Sequence, residues 1–307
     1  MNRRADHRMG RARPIHVSRN RAVAPLALAL ILLSAHQGLR AHPGVEQALR
    51  YFDQQIEQSP RDQALHAQRG IVYSNDGQYE QAMADFMRAA ELGDPLLISF
   101  DLGVLHYRMG DFAASRRYFN AWLQRFPDHA ACLEYRARLL RDAGDHDGAI
   151  ADFRRVFALQ ARPNPGDYIS VAEMLASRGD AGVAEALEVL DQGNAKLGVT
   201  PQLQRKAVAL ELRLGQPERA IERMRALEPT LGDSPDWKVE MGELMLSAGR
   251  GGEAKAWFRK ASDQLEGLRP TPARQQLMRR VQADLGSTTP GESSPAAPVS
   301  PSPRHDG

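Results

Sequence analysis

The chain has 307 residues, of which 25% are charged, 6% are aromatic and one is a cysteine. That length suffices for one or two domains with cores of their own; the aromatic content is low for an all-β protein, and a lone cysteine, Cys132, excludes an intrachain disulfide framework. The net charge of +2 conceals an asymmetry: of 40 basic and 38 acidic side chains, eight arginines (Arg3, Arg4, Arg8, Arg11, Arg13, Arg19, Arg21, Arg40) and one acid, Asp6, lie in residues 1–41, which leaves 32 basic against 37 acidic. A weakly acidic body lacks the basic footprint of a general nucleic-acid binder, so no nucleic-acid partner is expected.

In chain order, residues 1–21 are basic and residues 22–35 are an uncharged apolar run. This order reads as a secretory signal, and the run is short of the about 20 residues a membrane span needs. Residues 1–41 are therefore expected to be a signal peptide, with cleavage favoured after Ala41 over Ala35. The protein would be exported, periplasmic or secreted; the alternative is an uncleaved signal anchoring it in the inner membrane, the one membrane contact expected. Next comes an amphipathic helix over 45–58, with Val45, Leu49, Phe52 and Ile56 on one face.

The body of the chain repeats. Gly77 opens a Gly-Gln-Tyr-Glu-Gln-Ala segment that recurs at Gly110 and Gly144 and, more loosely, at Gly179, Gly215 and Gly249, at spacings of 33, 34, 35, 36 and 34 residues. Five residues after the glycine stands a small residue (Ala82, Ser115, Ala149, Ala220, Ala254), and nine after it a large apolar one (Phe86, Phe119, Phe153, Met224, Phe258). Seven before it lie Gly70, Gly103, Ala137, Ala172 and Gly242, and the fourth unit aligns Ala186 and Leu190 only with a two-residue insertion. Each unit reads as two helices joined at a glycine turn. Small residues let the helices approach and the large residue fills the groove between them. One pair cannot bury its apolar faces, so neighbours must stack. Pro127, Pro163, Pro201 and Pro235 fall at junctions between units, where proline fits a first helical turn. A helix over 272–285, with Leu277, Val281 and Leu285 on one face, suits a solvating cap, and residues 286–307, rich in proline and serine, should be disordered.

These residues resemble the tetratricopeptide repeat family. The resemblance implies an all-α fold, a right-handed α-solenoid of about six stacked helix hairpins plus capping helices, over residues 42–285. The repeats fall near 63–96, 96–129, 130–163, 165–200, 201–234 and 235–268, with 45–58 as a half repeat. The resemblance further implies that first helices line a concave face, with contacts at repeat positions 2, 5, 6, 9, 12 and 13. Those positions select Phe100, Val104, Tyr107 and Arg108 in the second repeat, Glu134, Tyr135, Arg138 and Arg141 in the third, and Arg205, Lys206 and Arg213 in the fifth. Aromatics beside arginines suit a protein or peptide segment carrying acidic groups. The family's carboxylate clamp needs Lys and Asn where this chain has Ala67 and Ile71, so a partner's free C-terminus is not indicated.

No catalytic constellation is legible. The nine histidines form no pair at zinc-ligand spacing with a carboxylate between. The acid- and glycine-rich stretch from Asp142 lacks a calcium loop's spacing and terminal Glu, and it falls at a repeat turn. His42, as a new N-terminus, would chelate copper only with a second imidazole nearby. No enzyme activity, cofactor or metal is therefore expected. The leading reading is an exported scaffold or adaptor that binds a partner in its groove, in assembly or regulation of an envelope or secreted complex. The alternative is a small-ligand- or glycan-binding accessory subunit of a secreted enzyme. Cys132, between Ala131 and Leu133, is expected to be a buried, inert thiol.

Overall fold

The computed structural model describes residues 43–287, and among these all regular structure is helical. The expected signal peptide and the proline-rich tail from residue 288 onward lie outside the described residues. The chain divides into two compact units at Asp111/Phe112.

The first unit contains α1 (Pro43–Gln58), α2 (Gln63–Asn75), α3 (Tyr79–Leu92), a 3-10 turn (Pro95–Ile98) and α4 (Ser99–Arg108). α2 and α3 form a hairpin; α1 packs on α2 and α4 on α3. Asp62 caps α2 by accepting from the Ala64 amide at 2.8 Å, and Asp94 accepts from the Leu96 amide at 2.9 Å, satisfying amides that a helix leaves unpaired. Gly77 closes the hairpin with φ 80°. A side chain there would meet its own backbone, which is why glycine holds the left-handed turn. The close approach is real as well: a Cβ on Gly70 would lie 2.7 Å from the Phe86 ring. Phe86 and Ala82 are accordingly sealed, at 1% and 0% exposure.

The second unit runs through α5 (Phe112–Arg125), α6 (Ala130–Asp142), α7 (His146–Leu159), α8 (Pro165–Ala176), α9 (Asp180–Leu197), α10 (Pro201–Arg213), α11 (Pro217–Arg225), α12 (Glu228–Leu231), α13 (Pro235–Ser247), α14 (Gly251–Glu266) and α15 (Pro272–Ser287). Hairpins form from α6 with α7, α8 with α9, α10 with α11 and α13 with α14; each longer helix packs on the next, with α11 against α13 across the short α12. The turn glycines at 144, 179, 215 and 249 repeat the positive φ of Gly77. Phe119, Phe153 and Phe258 have no exposed surface, and Trp237 is held in the last core by an indole N–H donated to the Met224 carbonyl at 3.1 Å. α15 closes this core with Val281, which is fully buried.

One element departs from the two-helix pattern. The second helix of the fifth repeat ends at Arg225 and restarts as the short α12. Pro229 is the reason. It has no N–H for the carbonyl four residues back, which is Arg225's, and its ring would clash there, so the helix stops at that residue and proline takes a first-turn position in α12.

Candidate functional site

The first helices of the repeats (α2, α4, α6, α8, α10, α13) carry the positions selected for partner contact. In the first unit, Phe100, Val104, Tyr107 and Arg108 are all half-buried on α4, and Arg108 donates to the Ser74 hydroxyl at 3.0 Å. Asp101 stands among them, its carboxyl pushed up to about 6 by burial. In the second unit, Glu134, Tyr135, Arg138 and Arg141 lie on α6, and Arg205, Lys206 and Arg213 on α10.

Each of these cations already has a partner within the chain. Arg138 pairs with Glu134 one turn back on α6 and lies 3.5 Å from Asp167 on α8, while its guanidinium sits 5.9 Å from the Tyr135 ring centre. Arg141 donates to Asp142 at 2.9 Å and to the Ser170 hydroxyl on α8 at 3.3 Å. Lys206 reaches Glu173 at 2.6 Å, Arg205 reaches Glu240 at 3.0 Å, and Arg213 donates to the Ala176 carbonyl at 2.9 Å. Arg280 of α15 pairs with Glu243 of α13. Stacking brings positions of successive first helices side by side, so each cation meets an acid, a hydroxyl or a carbonyl of the adjacent repeat. The face carries both signs, and Asp167, 4% exposed, has its carboxyl raised by burial against the lowering effect of Arg138.

Between first and second helices lies a device that motif reading passed over. Arg69 donates to both Asp85 oxygens, at 2.7 and 2.7 Å, and to Asp53 of α1 at 2.6 Å. Arg136 donates to both Asp152 oxygens, at 2.7 and 2.8 Å, and to the Asn120 carbonyl oxygen of α5 at 2.8 Å. Each guanidinium ties its own hairpin to the preceding second helix. Asp85 and Asp152 are 5% and 4% exposed, a burial that a carboxylate tolerates only with such pairing. The bonds to Asp85 and Asp152 hold the two guanidiniums well above the usual arginine value. The signal was an Arg with an Asp 16 residues later, present in two repeats.

Two histidines also have structural roles. His129 caps α6, its Nδ1 accepting from the Cys132 amide at 3.2 Å, and burial lowers its basicity, as an accepting imidazole requires. His66 lies 3.4 Å from Asp85 and 3.2 Å from the Pro60 carbonyl. Among the described residues no group of three His, Cys, Asp or Glu side chains has metal-holding geometry. Cys132 is fully buried, its thiol pushed up to about 12 chiefly by burial, so it carries no reactive thiolate at neutral pH.

Family models described as tetratricopeptide repeat match residues 64–92 and 100–164. No curated protein matches the chain. Among solved structures, it is similar to MamA protein at 19% identity and TM-score 0.45, over 58% of this chain and 98% of that one. A tetratricopeptide repeat protein from Parabacteroides merdae gives 14% identity and TM-score 0.46 over 84% and 99%. Yeast Tom70 gives 17% and 0.44 over 85% of this chain and 46% of that one, so the chain spans about half the length of Tom70. The family-model matches fall on the hairpins whose glycine turns, small-residue contacts and buried phenylalanines have been described, and on these grounds residues 64–92 and 100–164 carry tetratricopeptide repeats.

Proposed function

We propose that the protein is a non-catalytic exported scaffold whose first-helix face binds a protein or peptide partner. The observation that carries this reading is the composition of that face in the second unit. Tyr135, Arg138, Glu134, Arg141, Glu173 and Lys206 form half-exposed pairs of both charge signs, linking helices that turn the same positions outward. Pairs at this exposure are individually worth only about 0.2–1 kcal/mol, so a partner's charges can exchange with them at little cost. Specificity would then come from the register of alternating charges and from the aromatic anchor, Tyr135, more than from net attraction. The export reading rests on the charge and hydropathy order of residues 1–35, and it places the partner in the envelope or outside the cell.

The test is a crosslinked capture from the native host with the full chain, read by mass spectrometry, beside the Tyr107→Ala/Arg138→Ala variant. A protein captured by the native chain and lost in the variant, with the helical circular dichroism unchanged, is the expected outcome. Equal capture by both, or loss only with unfolding, would exclude this face. Edman sequencing of the mature protein checks the export reading, with His42 expected as the first residue.

A further inference from the structure

The other side of the fifth repeat holds an anomaly that the groove reading does not use. Four residues before each turn glycine stand Tyr73, His106, Leu140, Leu175, Glu211 and Met245. Five repeats fill this position with an aromatic, imidazole or apolar side chain, and the fifth places a carboxylate there. Glu211 is 1% exposed. Its Oε1 accepts from Arg223 Nε at 2.9 Å, and its Oε2 is buried with no hydrogen-bond partner among the described residues. Both terminal nitrogens of Arg223 are directed to Asp191, at 2.6 and 3.0 Å, and neither bonds Oε2.

Glu211 forms part of the wall of a cleft of about 470 Å³ between α9 and the α10–α11 hairpin. The same place two repeats earlier, between α5 and the α6–α7 hairpin, is a cleft of about 290 Å³. There the position is Leu140, and the buried carboxylate, Asp152, has both oxygens taken by Arg136. The repeat architecture can therefore satisfy a buried acid fully at this place, and in the fifth repeat it leaves half of one unmet. An unsatisfied carboxylate oxygen costs more than the Leu it replaces, and such a group calls for an explanation.

The walls suggest what it awaits. Glu188, Asp191, Glu211 and Glu222 line the cleft against two cations, Arg219 and Arg223, so negative charge is in excess by two. Ala184, Leu187 and Leu214 supply apolar wall between the carboxylates. A metal ion is not the match, because no three of these acids converge at metal-holding distance. A guanidinium is a poor match too: it prefers both oxygens of one carboxylate, and Arg223 already holds one of Glu211's. An ammonium needs a single oxygen, and its alkyl stem would lie along the apolar wall. We propose that the cleft between α9 and the α10–α11 hairpin is a binding site for an alkylammonium group, with the buried Glu211 carboxylate as its counter-charge. The ammonium could be borne by a lysine side chain of another protein or by a free aliphatic diamine. The site is independent of the groove: Arg213, two residues along α10, projects from the other side of the helix to the α8 carbonyl end.

The test is isothermal titration of the full exported protein with 1,5-diaminopentane, Nα-acetyl-lysine methylamide and, as a neutral analogue, 1,5-pentanediol. Saturable binding of an ammonium ligand but not of the diol is expected. Glu211→Gln should weaken it by about tenfold or more, from the loss of a charged partner. Arg138→Ala, on the groove face, should leave it unchanged. Preference for the diamine identifies a free polyamine as the ligand, and preference for the lysine derivative identifies a protein side chain. If Glu211→Gln does not fold, Glu188→Gln/Glu222→Gln, which leaves the buried pair intact, must weaken binding instead. No ammonium binding, equal binding of the diol, or undiminished affinity in the folded variants would overturn the proposal.

Discussion

Single residues here show how burial decides what a side chain can do. Asp101 and Cys132 are both pushed toward their neutral forms by desolvation, to about 6 and about 12. For Asp101 the folded value exceeds the ordinary 3.8, so the fold holds an extra proton between the two values. Its stabilising contribution is complete below about pH 4 and is lost as pH rises through about 6. Asp101→Asn should therefore melt higher than the native chain at pH 7.5. The gap should close as pH falls toward 4, and at about 1.4 kcal/mol per pKa unit it should not exceed about 3 kcal/mol. Urea titrations of both proteins at stepped pH check this, and a pH-independent gap would contradict it. Cys132 should resist alkylation by iodoacetamide in the native protein at pH 8 and react once urea unfolds the chain.

At the scale of the element, each hairpin depends on one turn and one close contact. Gly144 has φ 82°, a conformation that costs an L residue about 1–2 kcal/mol. Gly144→Ala should therefore lower stability by that amount without altering the helical spectrum, as Ala brings a Cβ into open space. Gly242 is a different case, because its Cβ would lie 2.5 Å from the buried Phe258 ring. Gly242→Leu should be the more damaging, by about 3 kcal/mol or beyond, and a paired Phe258→Ala should restore part of the loss. Denaturant midpoints for the single and double variants decide whether glycine is there for its dihedral angles or for its lack of bulk. The straps built on Arg69 and Arg136 act between elements, and removing either arginine strands a buried aspartate. Arg136→Ala should cost about 3–5 kcal/mol, well above the cost of losing an exposed pair such as Arg155 with Asp128.

Over the whole molecule, helices within each unit contact their neighbours along the chain, so damage should spread locally. Val281 is the fully buried residue of α15 that seals the last core. Val281→Asp buries an unpaired charge, and hydrogen exchange should show lost protection in α13–α15 while the α2–α3 hairpin keeps its own. Uniform loss across both hairpins would mean that the chain unfolds as one cooperative block.

The repeat period, the turn glycines, the helix starts at Pro201 and Pro235 and the buried phenylalanines were all readable in the sequence, whereas Pro127 and Pro163 lie in the connections before their helices. Each rests on a local rule: only glycine is comfortable at positive φ, proline starts helices and does not continue them, and a period near 34 residues brings the same face back in every hairpin. Even the break between α11 and α12 was written in Pro229, though the periodic pattern masked it. The first-helix positions were legible for the same reason. What those side chains meet was not, because Arg138 with Asp167, Lys206 with Glu173 and Arg205 with Glu240 stand 29 to 35 residues apart and pair only when repeats stack. Glu211 shows the limit most sharply. Its departure from the pattern can be seen by aligning the repeats. Whether its charge is solvated, paired or left half-met was settled by the burial that neighbouring helices impose, which is a property of the tertiary structure alone.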